Sequence, residues 1–266
     1  MSLIRTPALI LHAFPYGDTS RILRLLTPEY GLRSVIAKGA MSPRSRFGGL
    51  LEPFTEGEVQ FNLRPGRDLF VLSGFSLLRA RQAIGRDFDA FTGASLIAEV
   101  MLRFGTEEAA PELYQAVSDA FDRLMGQGAR PGASSPSAGI PSPGPVTPPA
   151  NALDLSAAAL WNLTALLGFR PEMGSCVHCG ETLGDNEVTR FDAMAGGARC
   201  SACGGSGAPL SPELRREVDR MAETAAGQPP PAERRRHAEL LHAFLSAHLF
   251  QGQSLRSLRL FLDQFG

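Results

Sequence analysis

Lysine is almost absent from this 266-residue sequence: Lys38 is the only one, and 25 of the 26 basic residues are arginines. Arginine binds phosphate through two parallel hydrogen bonds and stacks on bases, so this bias leaves nucleic-acid binding open. No apolar run approaches the roughly 18 residues of a membrane-spanning helix. The first residues also lack the charged, apolar and small-residue regions of a signal peptide. We therefore expect a cytoplasmic protein that does not enter a membrane.

Motifs of the common enzyme classes are missing as well. Lys38 lacks the upstream glycines of a phosphate-binding loop, and neither Gly-x-Ser-x-Gly nor His-Glu-x-x-His occurs. No acidic cluster suits two-metal phosphoryl transfer. The one His-x-Glu, at 237–239, follows the cysteines, whereas zinc deaminases carry theirs before Pro-Cys-x-x-Cys. The sequence thus predicts a binding and assembly protein and not an enzyme.

The cysteines form two Cys-x-x-Cys pairs that are separated by 20 residues. Two such turns supply the four thiolates of a closed tetrahedral zinc site, which braces a fold and leaves no position for catalysis. A glycine, Gly180 or Gly204, follows each pair, where a turn beneath a metal needs a positive φ. Two redox disulfides or four inert thiols are the alternatives, and a reducing cytoplasm favours metal. We expect His178 to face solvent. The predicted ligands of one structural zinc ion are Cys176, Cys179, Cys200 and Cys203.

Short β-branched and aromatic runs, broken by Gly, Pro and Asp, fill roughly the first 75 residues. They predict five strands, at 6–14, 21–27, 32–37, 54–63 and 69–73. Five strands without helical periodicity favour a small closed barrel, for which the five-stranded OB-fold is the natural candidate. An SH3-like barrel fits almost as well. We place this domain at 1–78.

Positive charge is concentrated in the predicted barrel. The first 90 residues carry a net charge of +4 and the remainder −5. The loop 38–49, between the third and fourth strands, has three cations, two hydroxyls and no acid. Such a loop suits phosphate binding, although a solvated connection is the alternative. The predicted DNA-binding residues are Lys38, Arg44 and Arg46 in this loop, together with Arg33, Arg64 and Arg67. Base stacking is open to five aromatic residues, which in a barrel more often form the core: Tyr16, Tyr30, Phe47, Phe61 and Phe70.

The rest of the chain, 79–266, has a helical pattern with two interruptions. Apolar residues recur at threes and fours from Leu77 to Met125, and again over 153–167, 232–250 and 255–265. Ser211 caps a further helix, with Pro212 in its first turn. The segment 126–151 is rich in Gly, Pro and Ser, so we expect a disordered insertion. The predicted fold is a multidomain α+β protein: an OB-fold barrel, then an all-α domain with a four-cysteine zinc module inserted at 172–209.

Two blocks of residues carry a family resemblance. The first comprises PYGDTSR at 15–21, LTPEYG at 26–31, AKGA at 37–40, PRSR at 43–46 and LEPF at 51–54. The second comprises LGFRP at 167–171, which leads into the first cysteine pair, and GARC at 197–200, which opens the second. Together they resemble the RecO family of bacterial DNA repair proteins. The insertion departs from that family, and many members lack some or all of the cysteines, so the zinc prediction depends on this sequence alone.

The resemblance implies an N-terminal OB-fold, a helical domain and a non-enzymatic mediator of homologous recombination. Such a mediator binds single- and double-stranded DNA and anneals complementary strands. With RecR, it helps to load RecA onto strands coated by single-stranded-DNA-binding protein; RecF is a further implied partner, and the implied location is the nucleoid. The alternative from another class is a zinc-stabilised adaptor whose barrel binds a protein instead of DNA.

Overall fold

The structure, a computed structural model, describes residues 2–64, 66–127, 151–205, 207–227, 231–249 and 256–265. These residues form an N-terminal β-barrel and a C-terminal helical body that carries a three-stranded sheet. The disordered insertion predicted at 126–151 lies outside the described residues except at its two ends.

Five strands close the barrel: β1 (Ser2–Tyr16), β2 (Ser20–Thr27), β3 (Gly31–Ala37), β4 (Glu56–Leu63) and β5 (Leu69–Arg79). Their order around the barrel is β1-β2-β3-β5-β4, and β4 pairs back onto β1. β3 and β5 are parallel, whereas the other neighbouring pairs are antiparallel. This is the strand order of an OB-fold, so the OB-fold prediction is confirmed and the SH3-like alternative is excluded.

β1 bends around the barrel at a bulge. Its first half pairs with β4, its second half pairs with β2, and the β1–β2 register shifts between Ile10 and His12. Bulges of this kind bend a strand and increase its twist. Side chains alternate inward and outward along each strand, and the inward ones fill the barrel with apolar groups from all five strands, including Ile4, Ile10, Leu23, Leu25, Val35, Val59, Phe61 and Phe70.

β5 is longer than the sequence predicts. The predicted strand ends at 73 and predicted helix begins at Leu77, but the ladder with β4 continues to Arg79, which lies opposite Glu56. Two register shifts in this ladder let β5 curve onward instead of ending. The leucines at 77 and 78, with which the predicted helical pattern begins, are both exposed. The prediction of helix from Leu77 is wrong, and the first α-helix begins at Phe88.

Six α-helices form the described helical body: α1 (Phe88–Phe104), α2 (Pro111–Gln127), α3 (Ala152–Leu166), α4 (Pro212–Thr224), α5 (Arg234–His248) and α6 (Arg256–Asp263). Asp87, Asn151 and Ser211 cap α1, α3 and α4 by accepting hydrogen bonds from backbone N–H groups in the first turn. The predicted Ser211 cap is therefore confirmed. α3 is buried along most of its length around Trp161 and is the central helix of the body.

A buried arginine joins the barrel to the helical body. The side chain of Arg81, just after β5, is 0% exposed. It donates to Glu56 of β4 at 2.8 Å, to Asp122 of α2 at 2.6 Å and to the Ser118 hydroxyl of α2 at 2.8 Å. It also donates to the carbonyl oxygen of Phe54 at 3.1 Å. Because these acceptors come from both domains, the network fixes the barrel against α2.

The turn between β2 and β3 makes a second junction with the helical body. Gly31 has a φ of +58°, and a Cβ atom there would lie 2.2 Å from the carbonyl oxygen of Glu108. The N–H of Leu32 donates to the carbonyl of Thr106 at 2.8 Å. The close approach leaves no room for a side chain at position 31, so only glycine fits.

The zinc module predicted from the cysteines contains a small antiparallel sheet of β6 (Thr189–Asp192), β7 (Gly197–Arg199) and β8 (Ala208–Leu210), in the order β7-β6-β8. The ring of Phe191 on β6 lies 6.3 Å from that of Trp161 on α3 and 6.0 Å from that of Phe244 on α5. Buried Arg215 of α4 donates to the carbonyl of Met173 at 3.2 Å. The module is therefore packed into the helical core and is not a separate appendage.

Candidate nucleic-acid interface and metal centre

The four cysteine sulfurs converge. All four Sγ atoms lie within 4.8 Å of one another, with 3.9 Å between Cys176 and Cys203 and 3.8 Å between Cys179 and Cys200. Sulfurs bound about 2.3 Å from a tetrahedral zinc ion would lie about 3.8 Å apart, whereas a disulfide joins its sulfurs at about 2.05 Å. The four side chains therefore fit a four-thiolate metal site, and no disulfide joins them in this structure.

Each cysteine turn closes as its spacing predicts. Gly180 and Gly204 have φ values of +76° and +57°, and the N–H of Gly180 returns to the carbonyl of Cys176 at 2.8 Å. The N–H of Cys200 donates to the Cys176 sulfur at 3.3 Å, and backbone hydrogen bonds of this kind lower the pKa of Cys176 to about 6. His178 is exposed and does not belong to the ligand cluster.

The metal site could brace the fold but has no room for chemistry. Four cysteine ligands complete a tetrahedral shell, so a bound ion would hold no open position for water or substrate. Cys176 and Cys200 are themselves part of the main hydrophobic core. An ion held there would link the turns of the module to the helices beneath it.

The basic loop, residues 38–49, folds over one end of the barrel. Phe47 is buried in the barrel core, and the Arg46 guanidinium lies over its ring, 4.8 Å from the centroid. Arg46 also donates to the carbonyl of Leu72 on β5 at 3.4 Å. At the other end of the loop, the N–H of Met41 donates to the carbonyl of Thr19 in the β1–β2 turn at 2.8 Å. The loop therefore extends from the β1–β2 turn to β5.

Most of the predicted DNA-binding cations are free to bind anions. Five of the six are exposed and have no ion pair within the described part of the chain: Lys38, Arg44, Arg46, Arg64 and Arg67. Arg33 differs, because its side chain is only 14% exposed and pairs with Glu107 at 3.0 Å. It also donates to the Glu107 carbonyl at 2.8 Å, which ties it to the segment between α1 and α2. The DNA-binding role of all six residues stays a prediction.

Two rows of side chains cross the outer face of the barrel, which is the solvent side of β1, β2, β3 and β5. The residues between the two rows are Ala13, Leu23, Val35 and Phe70, which belong to the barrel core or pack against it. Strand alternation therefore directs the two rows outward. The cross-strand register aligns the first, which we term the apolar row: Phe14, Ile22, Ile36 and Val71. It also aligns a second row beside it: His12, Arg24, Ser34 and Leu69.

The apolar row is open to solvent. Val71 is 43% exposed, and the other three side chains are half-buried. The rings of His12 and Phe14 lie 5.5 Å apart, and Tyr16, two residues further along β1, is 54% exposed. Because neighbouring strands stand about 4.8 Å apart, a row across four strands is about 14 Å long. Exposed apolar and aromatic groups beside cations are typical of surfaces that bind single-stranded nucleic acid.

The apolar row was not among the residues predicted from sequence to bind nucleic acid. Its five aromatic candidates for base stacking divide into one exposed residue, Tyr16, one half-buried residue, Tyr30, and three core residues, Phe47, Phe61 and Phe70. Alternation along β2 and β3 was the signal that could have indicated Ile22 and Ile36. Phe14 carried no such signal, because the β1 bulge shifts the alternation just before it.

Two family models match the chain. The model described as Recombination protein O N terminal matches residues 1–81, and the one described as Recombination protein O C terminal matches residues 147–259. The chain belongs to the RecO family. A DNA repair protein RecO from Anaeromyxobacter sp. (strain K) is 33% identical over 281 residues, which cover 100% of this chain and 98% of that protein. The RecO protein of Thermobifida fusca is 31% identical, and the match covers 98% of this chain and 98% of that protein. The RecO protein of Nocardioides sp. is 30% identical, and the match covers 94% of this chain and 96% of that protein.

RecO membership confirms the resemblance found in the sequence and supports a role in DNA repair and recombination. The N-terminal match covers the whole barrel together with Arg81, and the C-terminal match covers the four cysteines and most of the helical body. Within the described residues, no helix has the length and apolar character needed to cross a membrane.

Proposed function

We propose that this RecO-family chain is a non-enzymatic recombination mediator whose barrel binds DNA on its outer face. The observation that carries the proposal is the apolar row, which crosses four strands beside exposed cations that have no acidic partner in the described chain. OB-folds bind oligonucleotides on the face of their second and third strands and on the loops that flank it. Here that face contains Ile22, Arg24 and Ile36.

Each predicted group of cations lies on a loop that begins or ends at a strand of this face. The basic loop with Lys38, Arg44 and Arg46 follows β3 and contacts the β1–β2 turn. Arg64 and Arg67 lie in the turn that leads into β5 at Leu69, the last member of the second row. Phosphates of a bound strand could therefore contact the loops while its bases contact the apolar row. Arg33 contributes least, because Glu107 already occupies its guanidinium.

A surface that combines apolar groups with cations would bind both single and double strands. Bases of a single strand are free to stack on Phe14 and Tyr16, and such stacking contributes about 1–3 kcal/mol per base without sequence preference. A duplex hides its bases, so it would bind through its phosphates alone. Annealing needs two like-charged strands to approach, and the exposed cations of the basic loop would reduce their repulsion. Loading of RecA with RecR onto strands coated by single-stranded-DNA-binding protein, and contact with RecF, complete the proposed role.

The metal in this proposal is one structural zinc ion held by Cys176, Cys179, Cys200 and Cys203. A four-thiolate tetrahedral shell is the set of ligands that zinc takes in structural sites. The ion would supply rigidity to the module and no reaction step. Metal analysis of the purified protein should give one zinc per chain, and a folded protein with four free thiols and no metal would contradict the assignment.

A salt titration tests the DNA-binding proposal. The affinity of a labelled oligothymidylate for the protein, measured by fluorescence anisotropy across a potassium chloride series, should fall linearly on a logarithmic plot. Changing Lys38, Arg44 and Arg46 together to Glu should weaken binding at low salt and make the slope shallower by about 2, because each lost phosphate contact on a single strand contributes about 0.7. Arg220, Arg235 and Arg259, exposed on α4, α5 and α6, changed together to Glu give a control with the same change in charge and an unchanged slope.

Phe14→Ala separates stacking from charge. It should lower single-strand affinity by about 1 kcal/mol or more with the same salt slope, and it should leave duplex affinity nearly unchanged. Unchanged low-salt affinity in the triple basic-loop variant would show that the loop assignment is wrong. If the folded wild-type protein bound neither single strands nor duplexes at low salt, the adaptor alternative, in which the apolar row binds a protein, would replace the proposal.

A further inference from the structure

A second surface lies beside the outer face, in a groove between α1 and the barrel. Its volume is about 540 Å³, within the range of about 300–1,000 Å³ that is typical of ligand sites. Leu11 and Ala13 of β1 and Phe54 from the segment before β4 form one wall, and α1 forms the other. Most of the lining is apolar, with a few polar side chains among it. No part of the proposed DNA-binding role uses this groove.

The α1 wall is a stripe of three residues at fourfold spacing. Phe91, Ser95 and Glu99 recur every four residues, so they lie along one side of the helix. At a rise of 1.5 Å per residue, the two ends of the stripe are about 12 Å apart. Phe91 is 46% exposed at one end, and the small Ser95 leaves the middle open. The groove thus has an aromatic end and an acidic end.

One carboxylate oxygen of Glu99 lacks a donor. Within the described part of the chain, its Oε2 atom is buried and accepts no hydrogen bond. Among the described residues that line the groove, Glu99 is the only carboxylate, and neither lysine nor arginine is present. A buried carboxylate oxygen without a donor is unfavourable. The Glu99 side chain as a whole is half-buried and lines the groove, so a cation in the groove would pair with the carboxylate and offset the missing donor.

The aromatic end is held rigidly. Phe54 has a φ of +68°, which is strained for a bulky side chain and is found mainly where the surrounding structure enforces it, often at ligand sites. Its N–H donates to the carbonyl of Ile10 at 2.7 Å, and its carbonyl accepts from Arg81 at 3.1 Å. The Phe54 and Phe91 rings meet edge to face, 5.9 Å between centroids. The strained backbone therefore presents a fixed apolar surface to the groove.

We infer that this groove binds an extended segment of a partner protein that carries an apolar side chain and, four residues later, an arginine or lysine. In an extended chain, residues i, i+2 and i+4 face the same way, and i and i+4 are about 13 Å apart, which matches the length of the α1 stripe. The cation pairs with Glu99 and the apolar side chain packs against Phe54 and Phe91. The carboxylate repels phosphate and acidic peptides, so the occupant is neither DNA nor an acidic tail. His12 lies both in the groove and on the outer face, so a bound segment would adjoin the DNA.

Binding of a designed peptide to the full chain tests the inference. The probe is fluorescein-labelled Phe-Ser-Leu-Ser-Arg amide, and its matched control replaces the arginine with citrulline, which has the same shape without charge. The arginine peptide should bind about tenfold more tightly, because hydrogen bonds to a charged group are stronger than neutral ones. Glu99→Gln should abolish that preference, and Ser95→Trp, which fills the middle of the groove, should abolish binding of both peptides.

Every other result overturns the inference. Equal binding of the arginine and citrulline peptides to the wild type, a preference that survives Glu99→Gln, or no binding of either peptide would each do so. A wild-type dimer that Ser95→Trp converts to a monomer in light scattering would show that the groove joins two copies of this chain instead. Circular dichroism checks that both variants are folded. If Ser95→Trp does not fold, the comparison of the two peptides on the wild type and on Glu99→Gln still tests the inference.

Discussion

Replacement of Arg81 by methionine should cost the protein a large part of its stability. Methionine fills a similar volume but leaves Glu56, Asp122, Ser118 and the Phe54 carbonyl without the donors that Arg81 provides. Removing one partner from a buried ion pair typically costs about 3–5 kcal/mol, because the remaining charge stays buried and unpaired. For a chain of this size that loss corresponds to a fall of about 6–20 °C in melting temperature.

Arg79 provides the matched control for this experiment. It also pairs with Asp122, at 2.6 Å, but its side chain is 52% exposed. Exposed ion pairs contribute about 0–1 kcal/mol, so Arg79→Met should be close to wild type in the same assay. Urea denaturation followed by far-ultraviolet circular dichroism gives both free energies of unfolding, and differential scanning calorimetry gives the melting temperatures. The protein should carry its zinc throughout.

Equal and small effects of the two substitutions would refute the reasoning. If Arg81→Met and Arg79→Met both changed stability by less than about 1 kcal/mol, the buried network would not hold the barrel against α2. Adding Glu56→Gln to Arg81→Met should recover part of the loss, because it removes a buried charge whose remaining cation, Arg79, lies 3.8 Å away and is largely exposed.

Two further outcomes concern the helical body. Burial lowers the pKa of His237 to about 4, and the Nε2 atom of His237 accepts a hydrogen bond from Trp161 at 2.9 Å. The contribution of the neutral His237 to stability is therefore complete above the unfolded pKa of about 6.5 and is lost as the pH falls towards 4. Urea denaturation should show about 2 kcal/mol less stability at pH 5 than at pH 7 from this group, and His237→Gln should remove that part of the difference. Cys179→Ser removes an exposed predicted ligand, so zinc content by mass spectrometry and the melting temperature should both fall. Single-strand affinity of the folded protein should stay within about twofold, because the proposed DNA-binding face lies on the barrel and Cys179 does not.

The clustering of the four cysteine sulfurs was predictable from sequence because much of its geometry is local. Two Cys-x-x-Cys turns already fix pairs of sulfurs, and the glycines at 180 and 204 supply the positive φ that each turn needs. Only the position of one turn relative to the other depends on the rest of the fold. The strands of the barrel were predictable for a similar reason, since each is a short apolar run bounded by turn residues.

Long-range pairing was not predictable from the same patterns. Arg33 looked like any other basic residue of the barrel, but its partner Glu107 lies 74 positions further along the chain. Arg81 gave no sign of being fully buried, because its acceptors come from β4 and α2. A sequence pattern reports neighbours within a few residues, and these contacts depend on how two domains pack.

On the outer face of the barrel, too, contacts between residues far apart in the sequence were not predictable. Alternation along β2 and β3 indicates that Ile22 and Ile36 face outward, but only strand register places them beside Phe14 and Val71. That register depends on the β1 bulge and on the parallel pairing of β3 with β5, which no local signal encodes. The charges of the proposed surface were therefore visible in the sequence, but the alignment of its apolar row across four strands was not.

Photochemical cross-linking tests most directly whether DNA lies on this face. The zinc-loaded protein would be irradiated with an oligothymidylate that contains 5-iodouracil, and the linked peptides would be identified by mass spectrometry. We expect links to peptides that contain Phe14, Tyr16 or the basic loop, and a loss of these links in the variant in which Lys38, Arg44 and Arg46 are changed to Glu. Links confined to the helical body or the cysteine module, with none on β1, β2, β3 or the basic loop, would contradict the account.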